Sequence, residues 1–140
     1  MLETFEIVAK AAADPSRARI LKLLEAGELC VCQITTVLDL APATVSKHLA
    51  ALKTAGLLQQ RRDGKWVYYR LAERELNSYA LPFLALVRSF LKDDPTIGED
   101  RRVLTLVNAV SLPVLCDKGR AALGPNAQAS EATPCCEGPS

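Results

Sequence analysis

Apolar residues recur along this chain at helical spacing and are interrupted by proline, glycine and acidic residues. Phe5, Val8, Ala9 and Ala12 predict a helix over residues 3–12. Asp14-Pro15 restarts the chain, with Asp as N-cap and Pro at the first helical position. Ile20, Leu21, Leu23 and Leu24 then carry an apolar face to a C-cap glycine, Gly27. A short helix follows through Ile34, Val37 and Leu38, with Cys30 at its N-cap and Gln33 in the place of a capping-box partner. Pro42 opens the next helix, which runs to Thr54 and is ended by Gly56. Val45, Leu49 and Leu52 form its inward stripe, leaving Ala43, Thr44, Ser46, Lys47, His48 and Lys53 mostly outside.

Two short helices joined by a tight turn, the second polar and basic, make a helix-turn-helix pattern. Leu57–Arg62 and Lys65–Leu71 then predict a hairpin about the turn Asp63-Gly64, of type I′. That turn pairs Arg62 with Lys65, Arg61 with Trp66, Gln60 with Val67 and Leu58 with Tyr69, and puts Leu58, Val67, Tyr69 and Leu71 on one core-facing side. Arg61 beside Trp66 is placed to stack on the indole. A helix-turn-helix followed by a basic hairpin is a winged helix.

Residues 79–92, capped by Ser78, carry Phe83, Leu84, Leu86, Val87, Phe90 and Leu91 around more than one face. A helix apolar on several sides must be buried on several sides, and a partner subunit is the economical cover; Leu84, Val87 and Leu91 are assigned to that interface. A further helix is expected from the capping-box pattern Thr96-Ile97-Gly98-Glu99 through Val110, broken by Ser111-Leu112-Pro113. From Gly119 onward Gly, Pro, Ala and Ser dominate. The expected fold is mainly α (α+β): a winged helix-turn-helix with a β-hairpin wing and a C-terminal dimerisation helix. Residues 1–92 would form the DNA-binding and dimerisation domain, 93–118 an additional C-terminal helical segment, and 119–140 a disordered tail.

Of 140 residues, 49% are hydrophobic, enough for a real core and too many for a wholly disordered chain. No apolar run approaches the ~20 residues of a membrane span. The first residues, MLETFEIVAKAAAD, place acids where a secretory signal has a basic region, so a cytoplasmic location without membrane association is expected. The net charge of +1 conceals an asymmetry. Residues 42–70 carry Lys47, Lys53, Arg61, Arg62, Lys65 and Arg70 against Asp63 alone, while the flanking stretches are net acidic. A basic block in a near-neutral chain fits one face built for a polyanion, although a solvated charged face reads the same by charge alone.

Five cysteines, Cys30, Cys32, Cys116, Cys135 and Cys136, are an odd number for a disulfide scaffold; closely paired cysteines in a cytosolic chain point to soft-metal or redox chemistry. The free N–H groups and dipole of a helix N-terminus favour thiolates there. Residues two apart in a helix point ~200° from each other, so Cys30 and Cys32 converge on one ion only if the first turn rearranges. Structural zinc wants four Cys/His ligands, and the lone histidine falls on the basic helix; a thiophilic trivalent ion held by two or three thiolates fits the inventory better. By position, Thr44, Ser46, Lys47 and His48 suit base edges and phosphates, and Lys53, Arg62 and Lys65 suit phosphate. Cys116, in the apolar run Pro113–Leu115, reads by itself as a packed residue.

The runs ELCVCQI, LAPATVSKHLAALKTAGLL and RRDGKWVYYRL together resemble the ArsR/SmtB family of small winged-helix repressors, over about residues 3–92, with ELCVC similar to the arsenic-responsive (ArsR-like) branch. The resemblance implies a homodimer that occupies operator DNA with two-fold-related half-sites and releases it on binding arsenite through Cys30 and Cys32, with antimonite chemically close and no catalytic cofactor. The arsenic-responsive pattern is C-V-C-x-x-C. Here its third position is Thr35, which leaves any third ligand to Cys116, Cys135 or Cys136. Rival readings keep the DNA-binding module but make the thiols sensors of oxidants, sulfur species or another soft metal. A thiol reductase lacks C-x-x-C, a general-base constellation and a nucleotide-binding glycine loop, so no enzyme is expected.

Overall fold

In the computed structural model the described residues are 1–124. Asp14 makes the first corner: it ends α1 (Leu2–Ala13), and its carboxylate accepts the Arg17 N–H, capping α2 (Pro15–Leu23). After a 3-10 turn at Leu24–Ala26, Gly27 takes φ +132°, a backbone conformation that side chains rarely tolerate. Then come β1 (Leu29–Cys30), α3 (Val31–Leu38) and α4 (Pro42–Thr54), with Asp39 in the left-handed region turning the chain between the helices. Ile20 and Leu21 of α2, Ile34 and Val37 of α3, and Val45, Leu49 and Leu52 of α4 are each at most 1% exposed and form the centre of the core.

The hairpin consists of β2 (Leu58–Asp63) and β3 (Trp66–Leu71), but its turn lies one residue later than expected. Gly64 and Lys65 form the loop, with positive φ at Gly64 alone, which matches type II′ rather than type I′. Asp63 therefore opposes Trp66, Arg61 opposes Tyr68, Gln60 opposes Tyr69 and Leu58 opposes Leu71. A displacement by two keeps every side chain on its face, so Leu58, Val67, Tyr69 and Leu71 still share a side. The Arg61–Trp66 stack is replaced by Arg61 lying 4.5 Å from the Tyr68 ring centre, with Lys65 at 5.0 Å from Trp66. The two-residue strand β1 has no period from which to be read; it pairs antiparallel with β3 (Leu29 opposite Tyr69, Cys30 opposite Tyr68), giving the order β1-β3-β2.

Helix α5 (Ala80–Ser89) is capped by Asn77, whose Oδ1 accepts the Tyr79 and Ala80 N–H groups, rather than by Ser78. It stops short of residue 92 because Lys22, 2% exposed, donates to the carbonyls of Val87 (3.0 Å) and Phe90 (2.7 Å), while Leu91 turns to φ +63°. Helix α6 (Pro95–Asn108) is capped by Asp94, not by Thr96, whose N–H is itself a donor to Asp94. The helical run breaks at Ser111-Leu112-Pro113 as expected, α6 having stopped at Asn108 rather than Val110, and the same residues start α7 (Leu112–Lys118), with proline in the first turn, where its missing N–H costs little.

Where composition predicts a tail from Gly119, residues Gly119–Leu123 instead form a 3-10 helix. Arg120 is the reason: its guanidinium donates to the Thr36 and Val37 carbonyls at the end of α3. The rest of the expected tail, with Cys135 and Cys136, lies outside the described residues. The segment expected at 93–118 contributes Val103, Leu104, Val107 and Leu115 to the same core as α2 and α3. It is also joined to α2 by a bidentate pair, Arg19 to the buried Asp100 at 2.9 Å on both arms. No helix among the described residues is long and apolar enough to cross a membrane.

Candidate nucleic-acid interface and thiol site

With Val45, Leu49 and Leu52 turned inward, the opposite face of α4 presents Thr44, Ser46 and Lys47 to solvent. Lys53, on the same helix, is exposed and hydrogen-bonded to Gln60 of β2, so the end of α4 is tied to the wing. Arg62 and Lys65 are exposed around the hairpin tip. His48 departs from the pattern. Three residues beyond Val45 it falls on the edge of α4 that meets α2, and its side chain is 17% exposed. Its Nδ1 accepts from Arg17 Nε at 3.1 Å and lies 3.8 Å from Asp14, so this ring is anchored to the start of α2 rather than standing outside.

Arg61 was part of the basic tip by sequence, yet it makes a bidentate pair with Glu28, at 3.0 and 2.8 Å. Those hydrogen bonds, and then the nearby positive charge of Arg61 and Arg70, hold the Glu28 carboxyl below the usual carboxylate range. The partners are far apart in sequence and carry no shared motif; only the β1–β3 pairing brings Glu28 alongside the wing.

Cys30 is 1% exposed at the N-cap of α3, its N–H donating to Gln33 Oε1 at 2.8 Å. Cys32, one residue inside the helix, is half-buried and disulfide-bonded to Cys116 of α7, across a sequence separation of 84 and a Cα–Cα distance of 5.4 Å. The apolar run around Cys116 reads as packed, but Leu115 takes the core position and Cys116 is exposed. Leu115 and Cys116 are neighbours on a helix, so burying one turns the other out. Thr35, at the third position of the arsenic-responsive pattern, has a buried hydroxyl with no hydrogen-bond partner among the described residues. Cys30, Cys32 and Cys116 line one open cavity of about 510 Å³, shared with Ser46 of α4 and with Lys65, Trp66 and Tyr69 of the wing. With the Cys32–Cys116 bond reduced, its cysteines would be soft donors that suit a thiophilic ion. Among the described residues no three of His, Cys, Asp and Glu are arranged to hold a metal ion, so the sulfur of Cys30 does not join those of Cys32 and Cys116 as they stand.

The expected interface residues divide. Leu84 is 4% exposed and belongs to the core of its own chain, because Ala80 and Leu84 form the inward stripe of α5. Val87 is half-buried and Leu91 is exposed. Both line a groove of about 560 Å³ between α1 and α5, with Ala9, Phe83, Leu86 and Phe90. Phe90, Ile7, Leu86 and Phe5 are between 46% and 54% exposed, an apolar surface that sequence periodicity marked on α5 but not on α1.

The model of the bacterial regulatory protein arsR family matches residues 14–60, which span α2, α3, α4 and the start of β2. The chain is 53% identical over 66 residues to the arsenic resistance transcriptional regulator ArsR1 of Pseudomonas putida, covering 46% of this chain and 52% of that one. It is 52% identical over 64 residues to the arsenical resistance operon repressor of Escherichia coli, covering 45% and 55% respectively. The chain thus spans about half the length of these curated relatives. Among solved structures, the homodimeric winged helix-turn-helix DNA-binding domain of a Mycobacterium bovis protein superposes with a TM-score of 0.54 at 38% identity, covering 63% of this chain and 78% of that one. At 38% identity over more than two thirds of that structure, together with the family match, the chain belongs to the arsR family of bacterial regulatory proteins.

Proposed function

We propose that the protein is a homodimeric transcriptional repressor that occupies operator DNA with two-fold-related half-sites and leaves it when trivalent arsenic, as arsenite, binds the thiolates of Cys30 and Cys32. One observation carries this reading: the cavity lined by the cysteines shares its walls with Ser46 of α4 and Lys65 of the wing. A ligand held there touches the two elements that would straddle the DNA. Thr44, Ser46 and Lys47 face base edges and phosphates, and Lys53, Arg62 and Lys65 neutralise phosphates. His48 serves DNA through its anchorage to Arg17, which fixes α4 against α2.

Arsenite would bring its own chemistry, the exchange of oxygen for sulfur ligands; this chain's part is to supply sulfur and to be deformed by supplying it. Cys30 has to leave the N-cap for its sulfur to meet that of Cys32, and Cys30 is also paired with Tyr68 on the wing strand. Ligation therefore favours a conformation with an altered wing, and preferential binding to that state is what releases DNA. The groove between α1 and α5 is covered in this reading by a second copy, consistent with the homodimeric relative. A cytoplasmic location follows for a protein acting on the chromosome.

The test is a titration of the operator-bound protein with arsenite, antimonite, cadmium and zinc, read by fluorescence anisotropy. Release by arsenite in reduced wild type, absent in Cys32→Ser, is expected. Release of the Cys30→Ser, Cys32→Ser double variant at wild-type concentrations would sink the proposal.

A further inference from the structure

We propose that Cys116, carried on α7, is the third thiolate of the soft-ion site, so that the site bridges α3 and α7 and exists only while the Cys32–Cys116 pair is reduced. This rests on the reading that trivalent arsenic is the inducer. Cys32 and Cys116 stand 84 residues apart in sequence, yet their sulfurs reach each other directly. Two sulfurs that can bond across a 5.4 Å Cα separation need only a side-chain rotation to hold an ion between them. Cys116 is delivered rigidly: Leu115 beside it is 1% exposed in the core, and Arg120, one turn on, is tied to the α3 carbonyls of Thr36 and Val37. Cys30 lines the same cavity and is the sulfur that must move. Thr35 offers no thiol, so the third sulfur that α3 lacks comes from the helix packed against it.

The chemistry balances in both directions of use. With arsenous acid each thiol replaces one hydroxide: an As–O bond breaks, an As–S bond forms, the thiol proton leaves with the hydroxide as water, and no oxidation state changes. With a hydroperoxide, one thiolate attacks the peroxide oxygen to give a sulfenic acid and release water or an alcohol. The second thiolate then displaces hydroxide from that sulfur, closing the disulfide; the electron pair has passed from sulfur to the peroxide. Cys32 cannot serve both bonds, so an oxidised protein is blind to arsenite.

The experiment uses the full chain with sodium arsenite as the probe. Affinity is measured by calorimetry, and the protected cysteines are mapped by alkylation and peptide mass analysis. In reduced wild type, arsenite is expected to protect Cys30, Cys32 and Cys116 together. Cys116→Ser, checked for folding by circular dichroism, should bind about tenfold more weakly or worse. The Cys135→Ser, Cys136→Ser double variant should bind like wild type. Peroxide-treated wild type, shown to carry the Cys32–Cys116 link, should lose arsenite binding and regain it on reduction. The inference is overturned if Cys116 stays alkylatable in arsenite-saturated protein, if Cys116→Ser binds as tightly as wild type, or if the oxidised protein binds undiminished. Reduced wild type that takes up no arsenite at all would instead overturn the proposed inducer, and this inference with it.

Discussion

Lys65 and Ser46 line one cavity, yet they are expected to contribute to DNA binding in different ways. Lys65 is an exposed cation at the wing tip, suited to phosphate. Lys65→Ala should therefore weaken binding to all sequences alike and flatten the dependence of log affinity on log salt by about one unit, measured by anisotropy at several salt concentrations. Ser46 faces outward from α4, the face proposed to meet base edges, so Ser46→Ala should narrow the ratio between operator and random-sequence affinity instead. An unchanged ratio would mean that another face of α4 reads the DNA. His48 needs a different expectation, since its ring is bonded to Arg17: His48→Ala should lower thermal stability as well as DNA affinity. Cys30→Ser keeps the backbone N–H bonded to Gln33 and a small polar N-cap, so the variant should fold while losing its arsenite response.

Helix α5 separates what holds one chain together from what the proposed dimer would use. Leu84→Ala removes a core side chain and should destabilise the fold by about 2–4 kcal/mol in denaturant titrations, with the oligomeric state unchanged. Phe90→Asp, on the exposed rim of the α1–α5 groove, should instead leave monomer stability nearly intact and shift sedimentation toward the monomer. Dimers that survive Phe90→Asp would place the interface elsewhere. The link between β1 and the wing adds a pH dependence. Glu28, held below the usual carboxylate range of about 4 by Arg61, contributes stability that is fully present above its unfolded-state value. That contribution is lost as pH falls through the lower folded-state value. Melting temperatures of wild type and Glu28→Gln should therefore differ at neutral pH and converge in acid; the gap should be small, because the pair is partly exposed.

For the whole molecule, the C-terminal helices belong to the same cooperative unit as the helix-turn-helix. Val103, Val107 and Leu115 cover α2 and α3, and Asp100 is the buried partner of Arg19. A chain cut after residue 92 exposes that apolar surface and removes the carboxylate, so it should melt several degrees lower than the intact protein. An equal melting temperature would show that residues 1–92 stand alone. The same packing puts α7 beside the start of α3, which makes the C-terminal segment part of the thiol chemistry.

The features legible from residue order are those that depend on neighbours along the chain. The caps at Asp14 and Cys30, the prolines that open α2 and α4, the inward stripe Val45, Leu49 and Leu52, and the core side of the hairpin are all local periodicity and turn chemistry, and all are found in the structure. The turn itself lies a residue later because Asp63-Gly64 and Gly64-Lys65 both satisfy a two-residue loop and leave the same side chains on the core side, so the local pattern does not distinguish them. Packing between distant segments set the rest. It ended α5 early by burying Lys22 on its last carbonyls, drew His48 inward onto Arg17, neutralised Arg61 with Glu28, and joined Cys32 to Cys116. Each of these pairs residues far apart in sequence. Such contacts form where helix faces meet, and no spacing along a single element records which face its neighbour will present.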